Sequence, residues 1–308
     1  MKVHFWGVRG SIPVPLAPQQ IRDKIADVLR LASPQDVASP EACRKFLAAL
    51  PEGLYGTVGG NTACVELTGC DGTCVILDAG SGLRSLGNSG ARPLDGRYHL
   101  FLSHFHWDHI QGIPFFKPMY DASFRVDIFS AGDGARDELE KQQKQPFFPT
   151  EFGAAGNVQF HTLPVGRPFQ LGPLKIDVCR MRHPGSVHAF AFTENGRKLV
   201  YATDIELSEQ DVPEDAGQAA VFQDADCILI DSQYTAEDAL RHKDWGHSSF
   251  NQAVDFASRW NIGRMYLFHH EPTYDDKKLA SVLEAARSYA APAGMEVYLA
   301  VEGEEFEL

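Results

Sequence analysis

His104-Phe105-His106-Trp107-Asp108-His109 sets three imidazoles and a carboxylate within six residues, directly after the apolar run His99-Leu100-Phe101-Leu102-Ser103. A strand that ends in such a loop is a poor start for a core, since each polar group must be hydrated or paired. It is well suited to holding metal ions at the mouth of a sheet. Neutral imidazole and carboxylate are ligands for zinc, iron, manganese and nickel. One loop cannot close a binuclear centre, so further ligands should stand at later strand ends. His183 follows the run ending Met181-Arg182, Asp204 follows Leu199-Val200-Tyr201-Ala202-Thr203, and His269 follows Tyr266-Leu267-Phe268. Each sits where an apolar strand stops and a polar loop begins. His270 adjoins His269; side chains alternate in an extended segment, so only one of the pair should face a metal.

Residues 98–103 are the predicted strand that delivers the metal loop. Further strands are expected at 3–6, 126–130, 158–161, 174–181, 189–193, 198–202, 227–230 and 265–268. Residues 63–68 and 73–78 read as a hairpin about Asp71-Gly72, and Asn195-Gly196 carries a type I′ turn signal. Helices are predicted over 249–259, with Ser248 or Ser249 as cap, and over 276–290. Residues 13–58 break the strand pattern with several prolines and two helical stretches, 21–31 and 40–50. Ile21, Ile25, Val28 and Leu29 recur at helical spacing, as do Cys43, Phe46, Leu47 and Leu50. The expectation is one domain over 1–308, with a helical insertion or lid at about 13–58 packed on it.

The chain has 308 residues, 44% of them hydrophobic, and a net charge of −13. No run reaches the roughly 18 apolar residues of a membrane span. The start, Met1-Lys2-Val3-His4-Phe5-Trp6-Gly7, lacks the features of a signal peptide, so a cytoplasmic location is expected. The acidic balance opposes a broad nucleic-acid footprint. It leaves room for a phosphate substrate, because two divalent ions add about +4 at the site. The six cysteines suggest buried or half-buried thiols: Cys70 and Cys74 flank a turn, but a reducing compartment disfavours a disulfide and no zinc partners stand nearby.

The His104–His109 motif resembles the signature of the metallo-β-lactamase superfamily. Phe5-Trp6-Gly7-Val8-Arg9-Gly10-Ser11, Gly59-Gly60-Asn61-Thr62 and Asp78-Ala79-Gly80-Ser81-Gly82 are similar to its phosphodiesterase branch, which includes ribonuclease Z and small cyclic-phosphate phosphodiesterases. The resemblance implies an α+β fold, an αββα sandwich of two mixed sheets flanked by helices with metals at one edge. It implies that His104, His106 and His183 bind one metal, Asp108, His109 and His269 a second, and that Asp204 bridges them. His269 is favoured over His270, as in the similar segment Phe268–Asp276. Zinc is the first expectation, with manganese, iron or nickel as alternatives. Two ions about 3.5–4 Å apart can hold a hydroxide between them and clamp the oxygens of a displacement at phosphorus.

Trp245-Gly246-His247-Ser248-Ser249 resembles the ribonuclease Z segment whose histidine is the general acid, with Asp231 where the family carries a glutamate. A carboxylate beside His247 would orient the ring and raise its pKa. The catalytic candidates are therefore Asp108, also a ligand, with His247 and Asp231. Asp78 is expected to orient a ligating histidine. Ser81, Asn61 and the Arg9-Gly10 turn are candidates to line the site, and His188 could meet substrate. His4, His99, His161 and His242 are structural by default. Phe115-Phe116 and Phe147-Phe148 are either core plugs or an apolar wall for a flat group.

The leading expectation is hydrolysis of a small or cyclic phosphodiester, a cyclic nucleotide above all. The runner-up, tRNA 3′-end processing, is disfavoured by the acidic stretch at about 205–226, which would repel RNA phosphates. Lactone, thioester or β-lactam hydrolysis is a third possibility. A non-enzymatic metal-holding scaffold is a fourth, although none of the seven ligands is missing. Partners would be a small-molecule substrate and, by resemblance, a second copy of the chain; nucleic acid and membrane are not expected.

Overall fold

A computed structural model describes residues 1–90, 92–132, 134–207 and 216–308. The stretch 208–215, part of the acidic segment noted above, lies outside the described residues. In chain order the strands are β1 (Lys2–Gly7), β2 (Cys64–Thr68), β3 (Cys74–Leu77), β4 (Arg97–Leu102), β5 (Arg125–Ser130), β6 (Val158–Thr162) and β7 (Phe169–Leu171). They continue as β8 (Leu174–Met181), β9 (Val187–Glu194), β10 (Arg197–Ala202), β11 (Cys227–Asp231), β12 (Arg264–Phe268), β13 (Glu296–Leu299) and β14 (Glu305–Glu307). One sheet runs β14-β1-β2-β3-β4-β5-β6 and the other β13-β12-β11-β10-β9-β8-β7. Each joins an antiparallel half to a parallel half: β3 to β6 are parallel in the first sheet, β10 to β13 in the second. This is the expected pair of mixed sheets with helices outside.

Alternation along the strands builds two apolar layers. On β4, Phe101 faces the second sheet and meets Phe190 and Phe192 edge-on at 5.8 and 5.4 Å. Its neighbours Leu100 and Leu102 pack under the outer helices with Leu83, Ile113 and Phe116. Phe116 is thus a core plug, while Phe115 and Phe147 stand exposed. Among the helices, Phe250–Arg259 starts at the Ser249 cap and completes a capping box through Gln252. Asn195 and Gly196 both have positive φ, +51° and +77°, as a type I′ turn requires.

In the helical segment the apolar stripes are covered unequally: Cys43, Phe46, Leu47 and Leu50 are half-buried, while most of the first helix's stripe is exposed. Helices form at Pro18–Leu31 and Pro40–Ala48, but neither contains a buried residue. Ile21, Ile25 and Leu29 share one face, as their spacing predicts, yet are 47%, 54% and 66% exposed. Periodicity specifies which residues share a face; it does not supply a surface to cover it. What ties this segment to the sandwich is polar: Lys24 Nζ lies 2.7 Å from Asp276 Oδ2. Cys70 is exposed, against the expectation for the thiols. The short strands β7, β13 and β14 had no clear sequence pattern. Among the described residues, no helix is long and apolar enough to cross a membrane.

Candidate metal centre

The carboxyl ends of parallel strands from both sheets meet at one edge, where α/β folds place their ligand sites. Asp78 follows β3, Ser103 and His104 follow β4, Asp204 follows β10, Asp231 ends β11 and His269 follows β12. Asp78, Asp204 and His269 have φ of +58°, +53° and +61°, a left-handed conformation that non-glycine residues seldom adopt. Three such positions at strand ends, all aimed into one cluster, are local strain placed where chemistry is expected.

All seven candidate ligands converge there. His104, His106, His183 and Asp204 form one group, and Asp108, His109, Asp204 and His269 a second, with the ligand atoms of each within 4.8 Å of one another. Asp204 belongs to both. His183 Nε2 lies 3.0 Å from His106 Nδ1, and His109 Nε2 lies 3.2 Å from His269 Nε2. His269 Nε2 is also 3.2 Å from Asp108 Oδ2 and from Asp204 Oδ2. His270 turns away and contacts the Ala300 carbonyl through Nε2 at 2.9 Å. Burial pushes its pKa down to about 3.

On His104, His109, His183 and His269 the ring nitrogen that faces away from the cluster has a partner. His109 Nδ1 meets Asp78 Oδ2 at 2.7 Å, His104 Nδ1 meets Ser103 Oγ at 3.0 Å, His183 Nδ1 meets the Gly246 carbonyl at 2.9 Å, and His269 Nδ1 meets Gln233 Oε1 at 3.0 Å. Fixing one nitrogen sets the tautomer and aims the other, the usual arrangement around a metal. Asp78 is itself held by Ser103 and by the Tyr201 hydroxyl at 2.8 Å. Two glycines leave room for the rings. A Cβ on Gly10 would lie 2.6 Å from His269 Nδ1, and one on Gly246 only 2.2 Å from His183 Nδ1.

The donor set fits divalent ions. His104 Nε2 is buried and has no hydrogen-bond partner, an expensive arrangement unless it serves as a ligand. Burial lowers the pKa of His104, His106 and His183, favouring the neutral imidazole that coordinates metals. His109 goes the other way: burial opposes its charge, but Asp204, Asp108 and Asp78 outweigh burial and raise it. Burial alone would raise Asp108 and Asp204; His109 foremost, with His269, holds both well below the usual carboxylate range. These buried carboxylates make a field that draws positive charge.

Beside the cluster, His247 Nδ1 lies 2.7 Å from Asp231 Oδ2, and the His247 ring stacks on that of His269 at 5.0 Å. Burial lowers the His247 pKa, but Asp231 and Asp204 more than offset it, to about 9. Asp231 Oδ1 accepts from the Ser248 and Gln233 backbone N–H groups, so the shorter aspartate is fully anchored.

Other candidates lie elsewhere. The Arg9 guanidinium binds the carbonyls of Gly59, Glu271 and Tyr274, while Gly10 lies against the His269 ring and Ser11 donates its backbone N–H to Asp108 Oδ2 at 2.7 Å. Ser81 and Asn61 bond each other and, through Asn61, Glu302. His188 is half-buried, and its backbone N–H donates to Ser103. His4, His99, His161 and His242 are engaged away from the cluster. Gln233, Tyr201 and Gly246 were not anticipated, since their partners are remote in sequence, nor was Ser103, which bonds the adjacent His104 and the distant Asp78.

The chain belongs to the beta-lactamase superfamily domain family, whose model matches residues 73–270, and is a metal-dependent hydrolase of the metallo-β-lactamase fold. Its kinship runs to the phosphodiesterase branch that its motifs resemble. A ribonuclease Z of Bradyrhizobium diazoefficiens is 27% identical over 274 positions, covering 71% of this chain and 86% of the relative. The zinc-bound PqqB of Methylobacterium extorquens shares the fold at a TM-score of 0.68 and 14% identity, with both chains covered in full. The short form of human tRNase Z does so at 0.61 and 19%, covering 100% of this chain and 99% of the other.

Proposed function

We propose that this protein hydrolyses a small or cyclic phosphodiester, a cyclic nucleotide being the favoured substrate. His104, His106 and His183 would hold one divalent ion, Asp108, His109 and His269 the other, and Asp204 both. When bound, two such ions polarise phosphoryl oxygens and make water nucleophilic near neutral pH. The protein's own part is to supply the proton. His247, with Nδ1 held by Asp231, presents its other nitrogen to the leaving oxygen. As water forms the new bond to phosphorus, the bond to the leaving oxygen breaks and that oxygen takes the His247 proton. The proton released by water returns the ring to its acid form.

The observation that carries this reading is the Asp231–His247 contact at 2.7 Å beside a double cluster sharing Asp204. The similarity of Trp245–Ser249 and Phe268–Asp276 to ribonuclease Z segments disfavours a lactone or β-lactam hydrolase. RNA processing remains the second reading because a relative named ribonuclease Z covers most of its length with this chain. The net charge of −13 opposes that reading but does not exclude RNA. The test is metal-dependent turnover of 2′,3′- and 3′,5′-cyclic nucleotides, bis(p-nitrophenyl) phosphate, a pre-tRNA and a lactone, with chelated and His106→Ala controls. Turnover of cyclic phosphodiesters, lost in the controls, is expected. Turnover of pre-tRNA or lactone alone would overturn the assignment.

A further inference from the structure

We infer that Glu206 is a positioning residue for the proton donor, holding the 244–248 loop where His247 reaches the leaving oxygen. This rests on the reading of His247 as general acid. Glu206 stands two residues past Asp204, and its backbone N–H donates to the Arg182 carbonyl at 3.0 Å, anchoring it at the ends of β8 and β10. Glu206 Oε1 accepts from the Asp244 backbone N–H at 2.8 Å, and Oε2 from that of Gly246 at 3.2 Å. Ser248 adds a second tether: its Oγ donates to the Ile205 carbonyl at 2.5 Å and accepts from the Leu207 N–H at 2.9 Å.

Residues 244, 246 and 248 are therefore bound to the 205–207 segment, while the intervening His247 turns onto Asp231. Residues 244–248 lie between the helices Ala236–Arg241 and Phe250–Arg259 and belong to neither. Asp244 and Gly246 sit at φ of +65° and +90°, so the loop needs outside acceptors to keep this shape. A carboxylate receiving two backbone N–H groups is a charge-assisted clamp. The same loop presents the Gly246 carbonyl to His183 Nδ1. Glu206 thus links the strand end bearing Asp204 to the loop bearing His247. A ring displaced from the leaving oxygen fails chiefly on substrates whose leaving group needs the proton.

Glu206→Gln keeps the shape but turns an amide N–H₂ toward one of the two donors. The test compares kcat/KM for an alkyl phosphodiester, whose alkoxide leaves poorly, with that for bis(p-nitrophenyl) phosphate, whose phenolate leaves readily. Bound metal is measured by elemental analysis in the same samples. His247→Ala should lower the alkyl-to-aryl ratio by about 10²-fold or more. Glu206→Gln should lower it by about tenfold at unchanged metal content, and the double variant should fall no further than His247→Ala. If Glu206→Gln fails to fold, Ser248→Ala cuts the second tether and should move the ratio the same way. An equal loss on both substrates in the tether variants, with His247→Ala selective, would overturn the role of Glu206 alone. A His247→Ala enzyme with no preference would bring down the general-acid reading, and the role of Glu206 with it.

Discussion

At the carboxyl ends of β3, β4, β10 and β12 the buried side chains are carboxylates and imidazoles, whereas on the helix Pro18–Leu31 isoleucine and leucine face solvent. Both regions invert the ordinary preference for apolar residues inside, and the inversions differ in kind. In the cluster nearly every buried polar atom has a partner, and the one imidazole nitrogen without one, on His104, points at Asp204 from 3.8 Å. On the helix the stripe of Ile21, Ile25 and Leu29 stays exposed, and ion pairs from Lys24 to Asp276 and from Asp27 to Lys277 link the segment to the helix Asp276–Ala290. Polar burial is costly and so has to be organised; apolar exposure on a single helix is cheap. The comparison teaches that an over-determined region, not merely an unusual one, marks the site.

Substitutions should separate the two regions sharply. The largest effect is expected from Asp204→Ala, which removes the carboxylate common to both groups and should lower kcat/KM by about 10³-fold or more, several kcal/mol, in a steady-state assay. Asp78→Ala leaves all seven candidate ligands in place but frees the His109 ring. It should weaken metal binding by about 10–100-fold in a chelator competition titration.

A charged knot remote from the cluster is a useful control. Asp127 is buried between His161, Arg125 and Arg97. Burial would raise its pKa, but these partners lower it. A depressed carboxylate contributes stability that is present above its unfolded pKa, about 3.9, and is lost as pH falls through the folded value. Asp127→Asn should therefore flatten the dependence of Tm on pH below about 4, without touching activity on the phosphodiester panel. The smallest effect belongs to the exposed stripe: Ile25→Lys should change stability by less than about 0.5 kcal/mol in urea denaturation. A large loss there would mean that the stripe is covered in solution and would erase the contrast.

Much of the site was legible in the sequence because its chemistry is punctuated by strand ends. The His104–His109 motif is local, and His183, Asp204 and His269 each follow an apolar run. The Asp231–His247 pair came from resemblance and lies at hydrogen-bond distance despite the shorter carboxylate. What escaped is what depends on partners far along the chain. Tyr201 meets Asp78 across 123 positions and Gln233 meets His269 across 36, with no local pattern to announce either. Glu206 looked like one more acidic residue in a charged stretch. The two sheets were legible from alternation, while β7, β13 and β14 are short edge or near-edge strands with too few residues to show a period. The helix at Pro18–Leu31 shows the converse limit: spacing locates its stripe but does not tell that Ile21, Ile25 and Leu29 stand exposed.

The central claim is that seven side chains hold two ions through a shared Asp204. It is tested most directly by counting divalent ions per chain by elemental analysis after reconstitution and desalting. The account predicts about two in the parent protein and clearly fewer in Asp204→Ala, with the fold intact by circular dichroism. An unchanged count in the variant, or no retained metal in the parent, would contradict it.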